Sequence, residues 1–321
     1  MLLSVSRRTD IPNYYSEWFF NRIKDGFLQV RNPMNEHQVS KIDLSPEVID
    51  CIIFWTKNPA PMLERLDELK DYKYYFQFTL TGYGKDMEPA LPNKREELIP
   101  TFKRLSEKIG SDKVIWRYDP ILLNEKYSRE YHIKAFEEIA DSLSGYTERA
   151  VISFVDLYAK TMRNTAGLNV KRMSEAEMIG MVKDMVKISN RNHMEIETCA
   201  EQIELSHIGV RHGSCIDREI VEKIIGCKIA GAKDKNQRTE CGCLESVEVG
   251  TYHTCKNGCK YCYANFSDEK VERNVRQYDV NSPLLCTSIG PKDKITDRKM
   301  KSLKEEQLNL FASCHIHPGT P

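Results

Sequence analysis

Between residue 2 and about residue 200 the chain alternates two kinds of segment. Short runs that stay apolar at consecutive positions read as strands buried on both faces. They are LLSV (2–5), CIIFW (51–55), YYFQFTL (74–80), KVIWRY (113–118), AVISFV (150–155) and MEIET (194–198). Between them lie YSEWFFNRIKDG, PMLERLDELK, KREELIPTFKRLSEKIG, SREYHIKAFEEIADSL and SEAEMIGMVKDMVKI. Each places Leu, Ile, Phe or Met at three- and four-residue spacing with charges on the other face, the pattern of an amphipathic helix. Doubly buried strands separated by helices imply a parallel sheet with right-handed crossovers. An α/β fold follows: a partial or complete (β/α) barrel with outer helices, or alternatively a doubly wound open sheet. FLQVRNPMNEHQVSKIDL (27–44) breaks the rhythm and predicts a β-hairpin inserted after the first helix.

In such folds the site lies at the C-terminal ends of the strands. Polar residues gather there: Ser6-Arg7-Arg8-Thr9-Asp10, Thr56-Lys57-Asn58, Thr79 and Thr81, Arg117 with Asp119, Asp156 and Tyr158, Glu197 with Cys199. Arg7, Arg8, Asp10, Lys57, Arg117 and Asp119 are the catalytic candidates. The competing expectation is that Arg7-Arg8 with Asp10, and Arg117 with Asp119, are ion pairs closing the mouth of the sheet.

After residue 200 the periodicity fades and cysteines accumulate. Of 11 in 321 residues, every one except Cys51 lies at or after Cys199. The expected organisation is a barrel core over 1–200, a cysteine-rich segment over 201–280 that completes the barrel, and a polar tail over 281–321. Lys+Arg and Asp+Glu both number 47, so net charge makes no global case for nucleic-acid or membrane binding. No apolar run approaches the ~20 residues of a membrane span, and the apolar start MLLSV is too short for a signal peptide. The expectation is a cytoplasmic protein without a membrane partner. An odd cysteine count confined to one third of such a chain points to metal or redox chemistry rather than a disulfide framework.

TYHTCKNGCKYCYAN (251–265) carries the sharpest signal: Cys255, Cys259 and Cys262 at C-x3-C-x2-C spacing with Tyr261 before the last. Zinc takes four ligands, usually as two separated pairs. An iron–sulfur cubane ligated by three cysteines keeps one iron open for a small molecule. A zinc site with Cys241 or Cys243 as fourth ligand is the alternative. The triad resembles the signature of the radical S-adenosylmethionine (SAM) superfamily. More closely, the arrangement resembles an uncharacterised bacterial domain family with N-terminal Ser-Arg-Arg-Thr-Asp and a C-terminal radical-SAM-like cysteine cluster.

The resemblance implies a 4Fe–4S cluster on Cys255, Cys259 and Cys262 that binds SAM and yields a 5′-deoxyadenosyl radical. It also implies an electron donor such as flavodoxin or ferredoxin. In that superfamily the triad follows the first barrel strand, whereas here it follows VEVG (247–250), so a permuted barrel is expected. The chain has no Gly-Gly-Glu segment for the SAM amino group. Cys199, Cys215, Cys241 and Cys243 make a second set of four, suited to an auxiliary iron–sulfur cluster or to zinc. Cys51, Cys227, Cys286 and Cys314 are expected to be core or surface thiols. His315 and His317 are expected to lie in a mobile tail.

Gln307-Leu308-Asn309-Leu310-Phe311 resembles the peptide by which bacterial DNA polymerases and repair proteins dock on the sliding clamp. If it docks there, modified or damaged DNA becomes the expected substrate, with spore photoproduct lyase as the analogue; packing of these residues onto the barrel is the competing expectation. The alternative from another class is a non-catalytic, DNA-associated protein whose iron–sulfur or zinc is structural or redox-sensing.

Overall fold

The apolar runs become neighbouring strands. In a computed structural model, residues 1–155 and 164–305 are described. Strands β1 (Leu2–Val5), β4 (Cys51–Thr56), β5 (Tyr74–Thr79), β6 (Val114–Ile121), β7 (Arg149–Phe154) and β8 (Glu195–Cys199) pair in that order, all parallel. The expected hairpin forms β2 (Phe27–Asn32) and β3 (Asn35–Asp43). Two short strands from beyond residue 200 extend the large sheet at opposite edges: β9 (Arg211–Gly213) beside β8, and β10 (Val247–Glu248) beside β1. The order is β10-β1-β4-β5-β6-β7-β8-β9. Among the described residues no ladder joins β9 to β10, so the eight-stranded sheet keeps two edges.

Alternation sorts each strand between two faces. Leu3, Val5, Ile52, Phe54, Phe76, Phe78, Val114, Trp116, Ala150, Ile152 and Ile196 enter one core cluster with the helices. These helices are α2 (Ser16–Asp25), α3 (Ala60–Leu63), α4 (Ile99–Ile109), α5 (Arg129–Leu143) and α6 (Glu175–Arg191); a short helix α1 (Ile11–Tyr14) precedes α2. Leu2, Cys51, Ile53, Tyr75, Ile115 and Val151 enter a separate cluster on the other face. There they meet Ile216, Ile229, Leu244 and helix α7 (Arg218–Ile225). The periodic helices therefore share one face, and the cysteine-rich segment covers the other.

Local chemistry sets the helix ends. Ser174 and Glu177 form a capping box at the start of α6, and Ser128 and Asp217 cap α5 and α7. The run PMLERLDELK is not one helix: it divides into α3 and a 3-10 turn at Leu66–Leu69. The tail also departs from expectation, because Lys294–Asp297 forms β11, which pairs in parallel with β3 and completes a three-stranded sheet. Among the described residues no helix is long and apolar enough to cross a membrane.

Candidate functional site

β10 and β1 run side by side in register, Leu3 against Val247 and Ser4 against Glu248. The next residues stay close: the Val249 N–H donates to the Ser4 carbonyl at 3.1 Å. A Cβ on Gly250 would stand 1.8 Å from Ser6 Oγ, so only glycine lets the two strand ends pack together. The chain then enters the loop that bears the triad, at the C-terminal end of the sheet. Gly258, at φ +66°, makes the left-handed bend between Cys255 and Cys259. The Cys262 N–H donates to the Cys259 carbonyl at 3.1 Å.

The Asn257 N–H at Cys255, and the Ala264 and Asn265 N–H groups at Cys262, favour the thiolate against burial. Burial pushes all three thiols up, Cys259 to about 12, so metal uptake at this loop would release protons. The residues therefore fit an iron–sulfur cluster in donor chemistry: three free thiols in one loop, with N–H groups that favour the thiolate. Among the described residues no three His, Cys, Asp or Glu side chains converge as ligands of a single metal ion.

Residues from the first strand ends fix this loop. Asn257, buried, donates from Nδ2 to Asp10 Oδ2 at 3.1 Å and accepts from the Tyr14 hydroxyl at 2.8 Å. The Tyr15 hydroxyl donates to the Thr254 carbonyl at 2.6 Å. Asp10 also accepts from Thr56 Oγ1 at 2.7 Å and from the Lys57 N–H at 2.8 Å. Burial pushes the Asp10 carboxyl up, against the hydrogen bonds that favour its charged form.

Beside it, Lys57 Nζ donates to Glu88 Oε1 and to the Tyr261 hydroxyl, both at 2.8 Å. Tyr261 in turn donates to Glu88, and Lys94 and Thr81 bond the other Glu88 oxygen. Burial works to raise the Glu88 carboxyl, but Lys57 and Lys94 outweigh it and hold the group at about 2. Lys57 is shifted up, Glu88 overcoming the burial that opposes its charge, whereas burial wins at Lys94 and loosens its proton. Glu88 thus remains a carboxylate between two ammonium groups.

The arginines divide. Arg7 does not pair with Asp10; its Nε faces Glu248 Oε2 at 3.6 Å and its Nη2 donates to Ser246 Oγ at 3.0 Å. Arg8 also leaves Asp10 alone, lying over the Tyr252 ring at 4.7 Å. Arg117 and Asp119 do form the expected pair, and Ser153 donates to the same carboxylate. Arg7 and Arg117 lie against the Trp55 ring at 5.7 and 5.5 Å.

Of the second set of four cysteines, Cys199 Sγ and Cys215 Sγ are 2.8 Å apart. Cys215, Cys241 and Cys243 lie in the cluster on the other face, with Cys199 packed against it. Arg117 Nη1 donates to Cys215 Sγ at 2.9 Å and the Ile216 N–H to Cys243 Sγ at 3.4 Å. Cys51 and Cys286 are buried core thiols.

A cavity of about 430 Å³ opens beside the triad, lined by Cys255, Cys259, Asn164, Lys256, Asn265 and Phe266, with helix α8 (Asp268–Val275) along one side. Sequence reasoning missed Glu88, Lys94 and Glu248. Asp156, Tyr158, Gln307–Phe311, Cys314, His315 and His317 lie outside the described residues.

Residues 2–264 match the family described as a domain of unknown function, DUF1848. The chain belongs to the DUF1848 family. That match takes in the whole arrangement from β1 to the cluster loop. No curated protein matches the chain. Among solved structures, one described as a "putative alpha-L-fucosidase" from Bacteroides thetaiotaomicron VPI-5482 is similar over 57% of this chain and 74% of its own. Its identity is 13% and its TM-score 0.26, so it carries no argument about this protein.

Proposed function

We propose that this DUF1848 protein is a radical SAM enzyme whose Cys255, Cys259 and Cys262 hold a 4Fe–4S cluster in a permuted, partial β/α barrel. The observation that carries the reading is the loop itself. Three free thiols lie within eight residues at the C-terminal end of a parallel sheet, on a loop that follows strand β10 beside β1. That edge position supports permutation: β10 precedes β1 in space although it follows in sequence by more than two hundred residues.

When bound, the cluster would supply the electron for reductive cleavage of SAM, taken from a donor such as flavodoxin or ferredoxin. The chain's own residues place and shield it. Asp10 holds Asn257, and Glu88 and Lys57 hold Tyr261, so the ends of β1, β4 and β5 grip the cluster loop from below. The cavity beside Cys255 and Cys259 is of small-molecule size. Arg8 over Tyr252 and Arg7 over Trp55 offer cationic and ring surfaces suited to phosphates and bases, which supports modified or damaged nucleic acid as the substrate class.

Anaerobic purification tests this. We expect about four irons and four sulfides on the triad, and 5′-deoxyadenosine after reduction with dithionite in the presence of SAM. Both should vanish in the Cys255→Ala/Cys259→Ala/Cys262→Ala variant. Zinc at the triad, or a fully iron-loaded chain that leaves SAM intact, would overturn the proposal.

A further inference from the structure

We infer that Tyr261, Tyr83, Tyr127 and Tyr131 form a conduit that carries an oxidising equivalent away from the triad loop to the protein surface. The Tyr83 ring centroid stands 5.5 Å from that of Tyr261 and 4.9 Å from that of Tyr127, and Tyr127 stands 5.1 Å from Tyr131. The series begins inside the cluster loop, at the residue before Cys262, and ends at Tyr131, which is 37% exposed. Its inner rings belong to a small core of their own, Tyr83, Met87, Leu122, Tyr127 and Tyr261, against which Cys259 packs. Three of those five buried residues are tyrosines. Phenylalanine would fill the same space without a hydroxyl that must find a partner once buried.

What tyrosine adds is a ring that gives up an electron readily once a base takes the phenolic proton. Such a base stands at each end of the buried stretch. The Tyr261 hydroxyl donates to Glu88, and the Tyr127 hydroxyl donates to Asp86 Oδ1 at 2.7 Å, within reach of proton transfer. A lysine lies over each of these rings, Lys57 at 5.3 Å from Tyr261 and Lys126 at 5.0 Å from Tyr127. A cation over the face favours a neutral ring and opposes a positively charged one. Electron and proton therefore leave together, and a neutral tyrosyl remains. An oxidised phenol is a far stronger acid than a carboxylic acid, so even Glu88, held at about 2, accepts the proton. Tyr83 has no base: its hydroxyl donates to the Pro120 carbonyl at 3.0 Å and accepts from the Leu122 N–H at 2.8 Å. The electron crosses Tyr83 without stopping there.

The oxidant is a sulfur-centred radical on Cys259, formed when a hydroxyl radical takes one electron from the thiolate and becomes hydroxide. The need for export, though not the path, rests on the proposed iron at the triad, because ferrous iron and peroxide generate hydroxyl radicals. Tyr261 returns one electron to the sulfur, which is a thiolate again, and passes its proton to Glu88. Tyr127 then reduces Tyr261 across Tyr83; Glu88 gives its proton back, and Asp86 receives the proton of Tyr127. Tyr131 reduces Tyr127 in turn, Asp86 returns that proton, and the Tyr131 proton goes to water. A soluble thiol finally gives Tyr131 a hydrogen atom, so the radical leaves the protein on that thiol.

The test needs neither iron nor SAM. In the full-length chain the exposed Lys260 is replaced by an azide-bearing residue coupled to a ruthenium photo-oxidant, with a cobalt(III) ammine as electron acceptor. After a flash, radicals are captured with a spin trap and the adducts mapped by mass spectrometry. Tyr263, 52% exposed and close in sequence, calibrates the yield. We expect an adduct on Tyr131 that falls several-fold relative to Tyr263 in Tyr83→Phe and in Tyr127→Phe. Because these variants lose buried hydroxyls, Tyr131→Phe leaves the interior intact as a second check: the tyrosyl signal in electron paramagnetic resonance should persist several-fold longer. No adduct on Tyr131, an adduct undiminished in both interior variants, or a tyrosyl lifetime unchanged by Tyr131→Phe would each overturn the inference. With the iron-loaded chain and peroxide, Tyr83→Phe should raise irreversible oxidation of Cys259 several-fold, and equal oxidation would refute export. A triad without iron would end the enzymatic proposal and leave the flash result as it stands.

Discussion

Glu88→Gln is the most direct test of how the cluster loop is held. Glu88 is 1% exposed and takes four donors: Lys57 and Tyr261 on one oxygen, Lys94 and Thr81 on the other. Glutamine keeps the shape and removes the charge, leaving two half-buried ammonium groups without this counter-ion. Removing one partner of a buried pair costs about 3–5 kcal/mol. The proton affinity gives a similar figure: the carboxyl lies at about 2 instead of 4.5, worth about 3 kcal/mol at ~1.4 kcal/mol per tenfold change. A folded-state value below the unfolded one stabilises above the unfolded value, and that contribution disappears as pH falls from about 4.5 through about 2. Urea unfolding at pH 7 should therefore show a loss of about 3 kcal/mol or more in Glu88→Gln. Wild type should converge toward the variant near pH 2. A loss under about 1 kcal/mol, the value of an exposed pair, would show that water reaches the ammonium groups and that the network does not grip Tyr261 as described.

Other outcomes follow from the same coordinates. His132 is buried, accepts from the Tyr118 hydroxyl at 2.9 Å and donates to the Leu122 carbonyl at 2.9 Å; burial lowers it to about 4. The unfolded chain therefore binds the extra proton between about 6.5 and 4, and stability should fall by about 2 kcal/mol from pH 7 to pH 5 in urea titrations; His132→Gln should flatten that slope. Trp116→Ala removes a fully buried ring stacked on Phe136 at 4.7 Å, with an expected loss of about 3–5 kcal/mol in unfolding free energy. Asn257→Ala frees the triad loop from Asp10 and Tyr14, and iron retained after anaerobic gel filtration should drop several-fold while the melting temperature changes little. Deleting Gln307–Phe311 should abolish co-elution with a bacterial sliding clamp, and unchanged co-elution would retire that partner.

The large strands were legible because burial on both faces writes itself as consecutive apolar residues: CIIFW and YYFQFTL leave little choice. The hairpin was legible from the break it makes in the strand–helix rhythm. What escaped depends on distance or brevity. β9 and β10, of three and two residues, are shorter than any periodic window. PMLERLDELK has helical spacing, yet it winds for a single α-turn and a 3-10 turn. Arg7 beside Asp10 looked like an ion pair, yet its partner is Glu248, 241 residues away. Nothing in GYGKDMEPALPN distinguishes Glu88 from any exposed loop acid, because its burial is created by Lys57 and Tyr261 from two other parts of the chain.

Those distant partners also explain how a cluster loop can stand at the far end of the sequence. A loop that follows a two-residue edge strand has little structure of its own; β10 contributes two register pairs to β1. Its position is set instead by side chains that reach it from elsewhere: Asp10 and Tyr14 after β1, Lys57 after β4, Glu88 after β5, Asn164 after β7. Each of these belongs to the C-terminal side of the sheet, so the loop is docked by the same strand ends whichever terminus delivers it. Chain order then matters less than the contact between β10 and β1, where Gly250 meets Ser6. Gly250→Ala places a methyl against Ser6 and forces β10 away from β1. If the docking argument holds, this one methyl should lower iron retention as far as Asn257→Ala does, although it touches neither a cysteine nor the network around Glu88. Full retention in Gly250→Ala would show that the loop finds its place without its strand.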